Sequence, residues 1–297
     1  MQRDFKTIVL IHGLWMTPTS LDLFKHYYEE RGYNVFAPAW PRLQGNVEAI
    51  RNDPSKLAGL GILEIVDHYY KFISCMDDAP LLIGHSFGGL IAEMLLDRGQ
   101  GIAGVAIDAT APKGVWRLPL SVIKSASPVL TNPFNYKRTV MLTFEQFSYA
   151  FASTMPEAEA RTVYDREVIP GPGRPIFQAA FANFCPDAAA SIDFRNATRA
   201  PLLIVAGQCD HLVPVALNQT TFKKYRQSTA STDYVEFANR SHLIIAQNGW
   251  QEVAEYAISW AERKLGINSK WRSHSDDREF RSTRSDNQTE NARPVGK

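Results

Sequence analysis

Pro80-Leu81-Leu82-Ile83-Gly84-His85-Ser86-Phe87-Gly88-Gly89 decides how this chain of 297 residues is read. Its first four residues are an apolar run of the kind that makes a short buried strand, and Gly89 to Leu96 reads as a helix. Between them lies G-x-S-x-G. Strand, tight turn and helix together form the context in which that pattern presents a serine as a nucleophile. The serine must sit in a strained turn, and side chains on either side of it would collide with the neighbouring strand and helix, so both flanks are glycine. Ser86 Oγ then projects above the sheet, and the N–H of Phe87 at the helix start is free to meet a developing negative charge.

Working outward, Thr7-Ile8-Val9-Leu10-Ile11 is a continuous β-branched run, the signature of a strand buried on both faces. A helix is expected from near Thr19, with Asp22 completing a capping box, to Gly32, followed by a strand at Asn34–Ala37. Between Ser55 and Met76 a helix presents Ile62, Ile65, Val66, Tyr69 and Ile73 on one face. Further strands are expected at Ile102–Ile107, Pro201–Ala206 and Asp233–Phe237, and a helix from about Trp250 to Leu265. Alternating strands and helices imply an α/β, doubly wound, mostly parallel sheet of about six strands.

The interval from Asp108 to Pro201 is too long for a single crossover. It reads as an inserted helical cap. Phe144, Phe147 and Phe151 share a face behind a Thr143/Gln146 capping box, Pro156 opens a second helix, and Phe177, Phe181 and Phe184 line a third. The expected organisation is therefore a core of residues 1–110 and 200–267, a cap of 111–199, and a disordered tail of 268–297, where Ser, Arg, Asp, Asn and Thr dominate.

Composition narrows the function classes. The chain is 45% hydrophobic and 21% charged with a net charge of +1, so nothing points to nucleic acid or another polyanionic partner. Cys75, Cys185 and Cys209 are odd in number and form no C-x-x-C, which suits buried free thiols in a reducing compartment. No apolar segment approaches the roughly 20 residues of a membrane span, and the charged Met1–Lys6 has no signal-peptide core. A cytoplasmic protein that does not engage membranes, monomeric or homodimeric, is the expectation. The absence of H-E-x-x-H, Cys/His clusters and G-x-G-x-x-G argues against a metal or a dinucleotide, so no cofactor is expected.

A serine nucleophile needs a base, and the base an orienting acid. Gly207-Gln208-Cys209-Asp210-His211-Leu212-Val213-Pro214 follows one strand end, and Arg240-Ser241-His242 follows the last strand. With these residues and the Ser86 elbow, the sequence from about Thr7 to Leu265 resembles an α/β-hydrolase-fold serine enzyme with a helical cap. It is similar to small esterase- and thioesterase-like members found beside natural-product (secondary metabolite) pathways. The resemblance implies Ser86 as nucleophile, His242 as base, Asp210 as acid, and the N–H groups of Leu14 and Phe87 as oxyanion hole. The sequence departs from the family in three places. No leading antiparallel strands are visible, Ser241 stands where glycine is common, and Asp108 ends a strand where some relatives carry the acid. Asp108 is therefore the alternative acid.

His12 and His85, inside the glycine turns, and His211, beside Asp210, read as structural rather than as bases. Trp15 and Met16, next to the oxyanion turn, are the candidates for lining a substrate pocket; Trp116 and the cap phenylalanines read mostly as cap core. The expected activity is hydrolysis of a carboxylic ester, thioester or lactone of an apolar small molecule through an acyl-enzyme. The alternatives are a non-hydrolytic cyclase or lactonase-type reaction on a polyketide-like chain, and a non-catalytic ligand-binding module.

Overall fold

Strand alternation explains the layering. In the computed structural model, which describes residues 6–267, β1 (Thr7–Ile11) sends Ile8 and Leu10 to one side of the sheet and Val9 and Ile11 to the other. Both sides are covered, so the run is apolar throughout. The first side packs against α1 (Asp22–Glu29) and α10 (Trp250–Leu265) through Phe24, Tyr28, Ala257 and Trp260. The second packs against α3 (Ile62–Ser74) and α4 (Phe87–Asp97) through Ile65, Tyr69, Leu90 and Ile91.

The six-stranded sheet is parallel throughout, in the order β2 (Asn34–Phe36), β1, β3 (Leu81–His85), β4 (Ala103–Ile107), β7 (Leu202–Gly207), β8 (Thr232–Phe237). Register aligns Ile11 with Gly84, His85 with Ile107 and Gly207 with Phe237. The residues that follow β1, β3, β4, β7 and β8 therefore meet along one rim, where ligands of such sheets bind. Helices α2 (Val47–Asn52) and α9 (Val215–Tyr225) complete the flanks.

Between β4 and β7 the chain forms α5 (Leu120–Leu130), β5 (Thr139–Val140), α6 (Phe144–Phe151), α7 (Glu157–Glu167), β6 (Gly171–Pro172) and α8 (Arg174–Ala180). The Thr143–Gln146 capping box forms as its spacing predicts. Phe147 and Phe151 join the same apolar cluster as α3 and α4, so no polar layer separates these helices from the sheet's second side.

Several local expectations are corrected. Residues Pro18–Leu21 form a 3-10 turn and α1 begins only at Asp22; Thr19, rather than capping a helix, donates its hydroxyl to Glu167 at 2.5 Å. The segment from Ser55 is a separate 3-10 turn, and α3 starts at Ile62. Phe181 and Phe184 lie beyond the end of α8 and are exposed, as is Trp116, because they face outward from the insertion rather than toward the sheet. Cys75 and Cys185 are exposed and Cys209 half-buried, so the expected burial of the thiols does not hold. The tail expected from residue 268 lies outside the described residues.

Candidate active site

The elbow after β3 is as crowded as its glycines require. A Cβ on Gly84 would run into the backbone of Gly88, and one on Gly88 into the carbonyl of Ile11. Ser86 itself holds φ 59° and ψ −120°, a conformation that costs L-residues on the order of 1–3 kcal/mol and persists only when its surroundings enforce it. They do so through the Ser86 N–H, which donates to Ile107 O, and the Ser86 carbonyl, which accepts from Gly89, Leu90 and Thr110.

Gly13 lies directly against the serine: a Cβ there would come within 2.9 Å of Ser86 Cβ. The following N–H of Leu14 and the N–H of Phe87 donate to no acceptor among the described residues. Two unspent donors thus flank Ser86, one from the loop after β1 and one from the start of α4.

Past β8, His242 is fully buried and its Nδ1–H donates to Asp210 Oδ2 at 2.6 Å. Asp210 is held in turn by the N–H groups of Leu212 (2.7 Å) and Val213 (2.8 Å), both received on Oδ1. His242 Nε2 has no partner. Of the two candidate acids, only Asp210 hydrogen-bonds His242. Asp108 accepts the N–H of Gly207 on Oδ1 and leaves Oδ2 unpaired. Burial above all, and the neighbouring Asp210 next, push its carboxyl well above the usual range.

His85 donates from Nε2 to the carbonyl of His242 at 2.7 Å, and burial first and His242 second drive its pKa well below the usual range. His12 accepts the N–H of Trp40 on Nε2 and donates from Nδ1 to Gly13 O; burial lowers its pKa to about 4. His211 donates to Tyr149 O. All three rings thereby bond the backbone, His85 with its Nδ1 left unpaired. One ligating atom each of His85, Asp108 and His242 lie within 4.8 Å of one another, a cluster the sequence did not suggest because its members are far apart along the chain.

Sequence reasoning missed what covers the site. Phe151 from α6 stands edge-on to His242 with ring centroids 4.9 Å apart, and edge-on to Trp15 at 5.9 Å. Trp15, at φ 66°, donates its indole N–H to Val140 O and accepts the N–H of Ile169 on its carbonyl. Ser86 is only 2% exposed, and Leu14, Trp15, Met16, Trp40 and Ile169, with Gly13, line a small pocket of about 10 Å³ whose lining includes neither Ser86 nor His242. The larger hollow, about 600 Å³ by Gly101, Ile102 and Pro201, lies at the opposite, amino-terminal end of β4 and β7 and has no chemistry in it. Phe151 had a sequence signal as part of the α6 stripe, but nothing in it named His242 as its neighbour.

Residues 8–256 match the sequence pattern of the Alpha/beta hydrolase family. No match is found among curated proteins. Solved structures share the fold. One is an extracellular alpha/beta-hydrolase from a Paenibacillus species, at 18% identity and TM-score 0.62 over 86% of this chain and 98% of that one. A pyrethroid hydrolase from Sphingobium faniae matches at 18% identity and TM-score 0.60 over 87% and 98%. Polyneuridine aldehyde esterase matches at 15% identity and TM-score 0.62 over 87% and 100%.

Proposed function

The chain belongs to the alpha/beta hydrolase family, and from that premise we propose that it is a serine hydrolase cleaving an ester, thioester or lactone of an apolar small molecule. The observation that carries this reading is the buried His242–Asp210 hydrogen bond, formed on the same rim as a strained Ser86 and two unspent backbone donors.

In this reading Ser86 Oγ attacks the substrate carbonyl and passes its proton to His242 Nε2. Asp210 holds the imidazole in the tautomer that leaves Nε2 free to accept. The N–H groups of Leu14 and Phe87 receive the oxyanion, each contributing on the order of 3 kcal/mol to the transition state. Collapse expels the alcohol, thiol or ring oxygen, which takes the proton from His242 and leaves Ser86 acylated. Water, deprotonated by the same imidazole, then releases the acid. The immediate surroundings of Ser86 are apolar, with Leu14, Trp15, Met16 and Phe151 all buried, which supports an apolar acyl group.

Closure of the site favours one second reading. Ser86 and His242, both buried from solvent, suit transfer of the acyl group to a hydroxyl of the same chain, that is, cyclisation, as well as hydrolysis. A panel of short acyl esters tests the main reading: turnover should be measurable, and an active-site phosphonate should label Ser86 alone. Labelling elsewhere, or full activity in Ser86→Ala, sinks it. Product analysis in heavy-oxygen water separates the two reactions, since only hydrolysis incorporates solvent oxygen.

A further inference from the structure

The outer face of the insertion carries an apolar cluster that the active site does not use. Trp116 is 64% exposed, Leu120 84% and Phe184 73%, with Leu118, Phe134 and Phe181 also exposed. Several of them are joined by contacts. Trp116 meets Phe184 ring to ring at 5.6 Å, and Asn183 fastens the two segments by bonding Gly114 N–H and Val115 O. Phe181 stacks on Phe177, which meets Tyr136 beside Phe134. Helix α8 packs on α5. Large exposed apolar patches on soluble folds mark places where something docks.

Charge indicates what docks. Between Asp108 and Glu145 the sequence has five Lys or Arg residues and no carboxylate, and between Glu167 and Asp187 it has Arg174 and no carboxylate. The rest of the chain is net acidic, so the asymmetry is local. Arg117, Lys124, Lys137 and Arg138 are exposed, and among the described residues none is paired with an acid. A second copy of this chain is a poor occupant, because a two-fold interface would set these cations against their own images. An anionic lipid surface is complementary to both features: aliphatic and aromatic side chains enter the headgroup boundary, where Trp is favoured, while flanking Lys and Arg meet the phosphates.

We propose that the face formed by Trp116, Leu118, Leu120, Phe134, Phe181 and Phe184, rimmed by Arg117, Lys124, Lys137 and Arg138, docks the protein on bilayers bearing anionic phospholipid. Nothing in this depends on the role given to Ser86. It departs from the expectation of a protein without membrane contact, and it requires no spanning helix; none of the helices among the described residues is long and apolar enough to cross a membrane.

Co-sedimentation of the full chain with large vesicles tests the proposal. Binding to phosphatidylcholine vesicles containing phosphatidylglycerol should exceed binding to phosphatidylcholine alone by about tenfold or more, and should fall as salt is raised. Trp116→Ser/Leu120→Ser/Phe184→Ser should abolish pelleting. Arg117→Glu/Lys137→Glu should remove the preference for phosphatidylglycerol. Both variants change exposed side chains and should keep the wild-type melting temperature and the wild-type rate on a soluble ester. Equal pelleting on both vesicle types, no pelleting of the wild type, or binding unchanged in both variants overturns the proposal. So does a wild-type dimer that the serine variant splits, which would assign the face to a second copy.

Discussion

Asp210 hydrogen-bonds His242, while in the same buried pocket the carboxyl of Asp108 is pushed well above the usual range, by burial first and by Asp210 second. Two ionised carboxylates at such a place would repel one another, and burial decides against the one without a cationic or multiple N–H partner.

An asymmetry between the two asparagine variants follows. Asp210→Asn should lower kcat on a short acyl ester by roughly 10⁴, because the amide stabilises the wrong imidazole tautomer. Asp108→Asn should cost less than about tenfold, since Asp108 makes no hydrogen bond to His242 and the amide oxygen can still accept the Gly207 N–H. Steady-state kinetics on both variants provide the check. A larger loss in Asp108→Asn would assign the orienting role to the wrong residue.

The strain at Ser86 should be measurable as stability. Glycine adopts φ 59°, ψ −120° without a Cβ penalty, whereas alanine keeps the penalty of serine. Ser86→Gly should therefore be more stable than Ser86→Ala by about 1 kcal/mol in urea unfolding, with both inactive. A glycine variant less stable than the alanine variant would mean that the elbow stores no strain.

Glu93, buried in α4, accepts the Tyr225 hydroxyl on one oxygen and leaves the other unpaired, and burial pushes its pKa from 4.5 to about 7. Because the folded value is the higher one, its contribution to stability is complete below pH 4.5 and is lost as pH rises through about 7. The loss is on the order of 3 kcal/mol. Glu93→Gln keeps an acceptor for Tyr225 and removes the titration. Relative to the wild type, it should gain stability steadily between pH 4.5 and 7 in parallel urea titrations. A constant difference across that window would disprove the assignment.

The sheet was legible because β1, β3, β4 and β7 are covered on both faces and so read as unbroken apolar runs. The elbow was legible for the opposite reason: contacts too close for any side chain leave glycine as the only residue that fits at 84 and 88. The insertion was harder. Phe147 and Phe184 are the same residue type in similar surroundings of sequence, yet one is fully buried and the other faces solvent. Which face of an apolar helix meets the sheet is fixed by packing, not by periodicity. Helix α5 went unread since Pro119 precedes it, Pro128 lies inside it and no side chain caps it. The orienting acid was ambiguous in the sequence because both carboxylates follow strands that open on one rim; only the reach of His242 Nδ1 distinguishes them.

Trp15 belongs at once to the turn that supplies a donor beside Ser86 and, through Val140 and Ile169, to the insertion above it. A displacement of the covering segment would therefore have to break both of these hydrogen bonds or carry Trp15, and with it the peptide next to Leu14, along. The loop after β1 and the segment above it are tied into one mechanical unit.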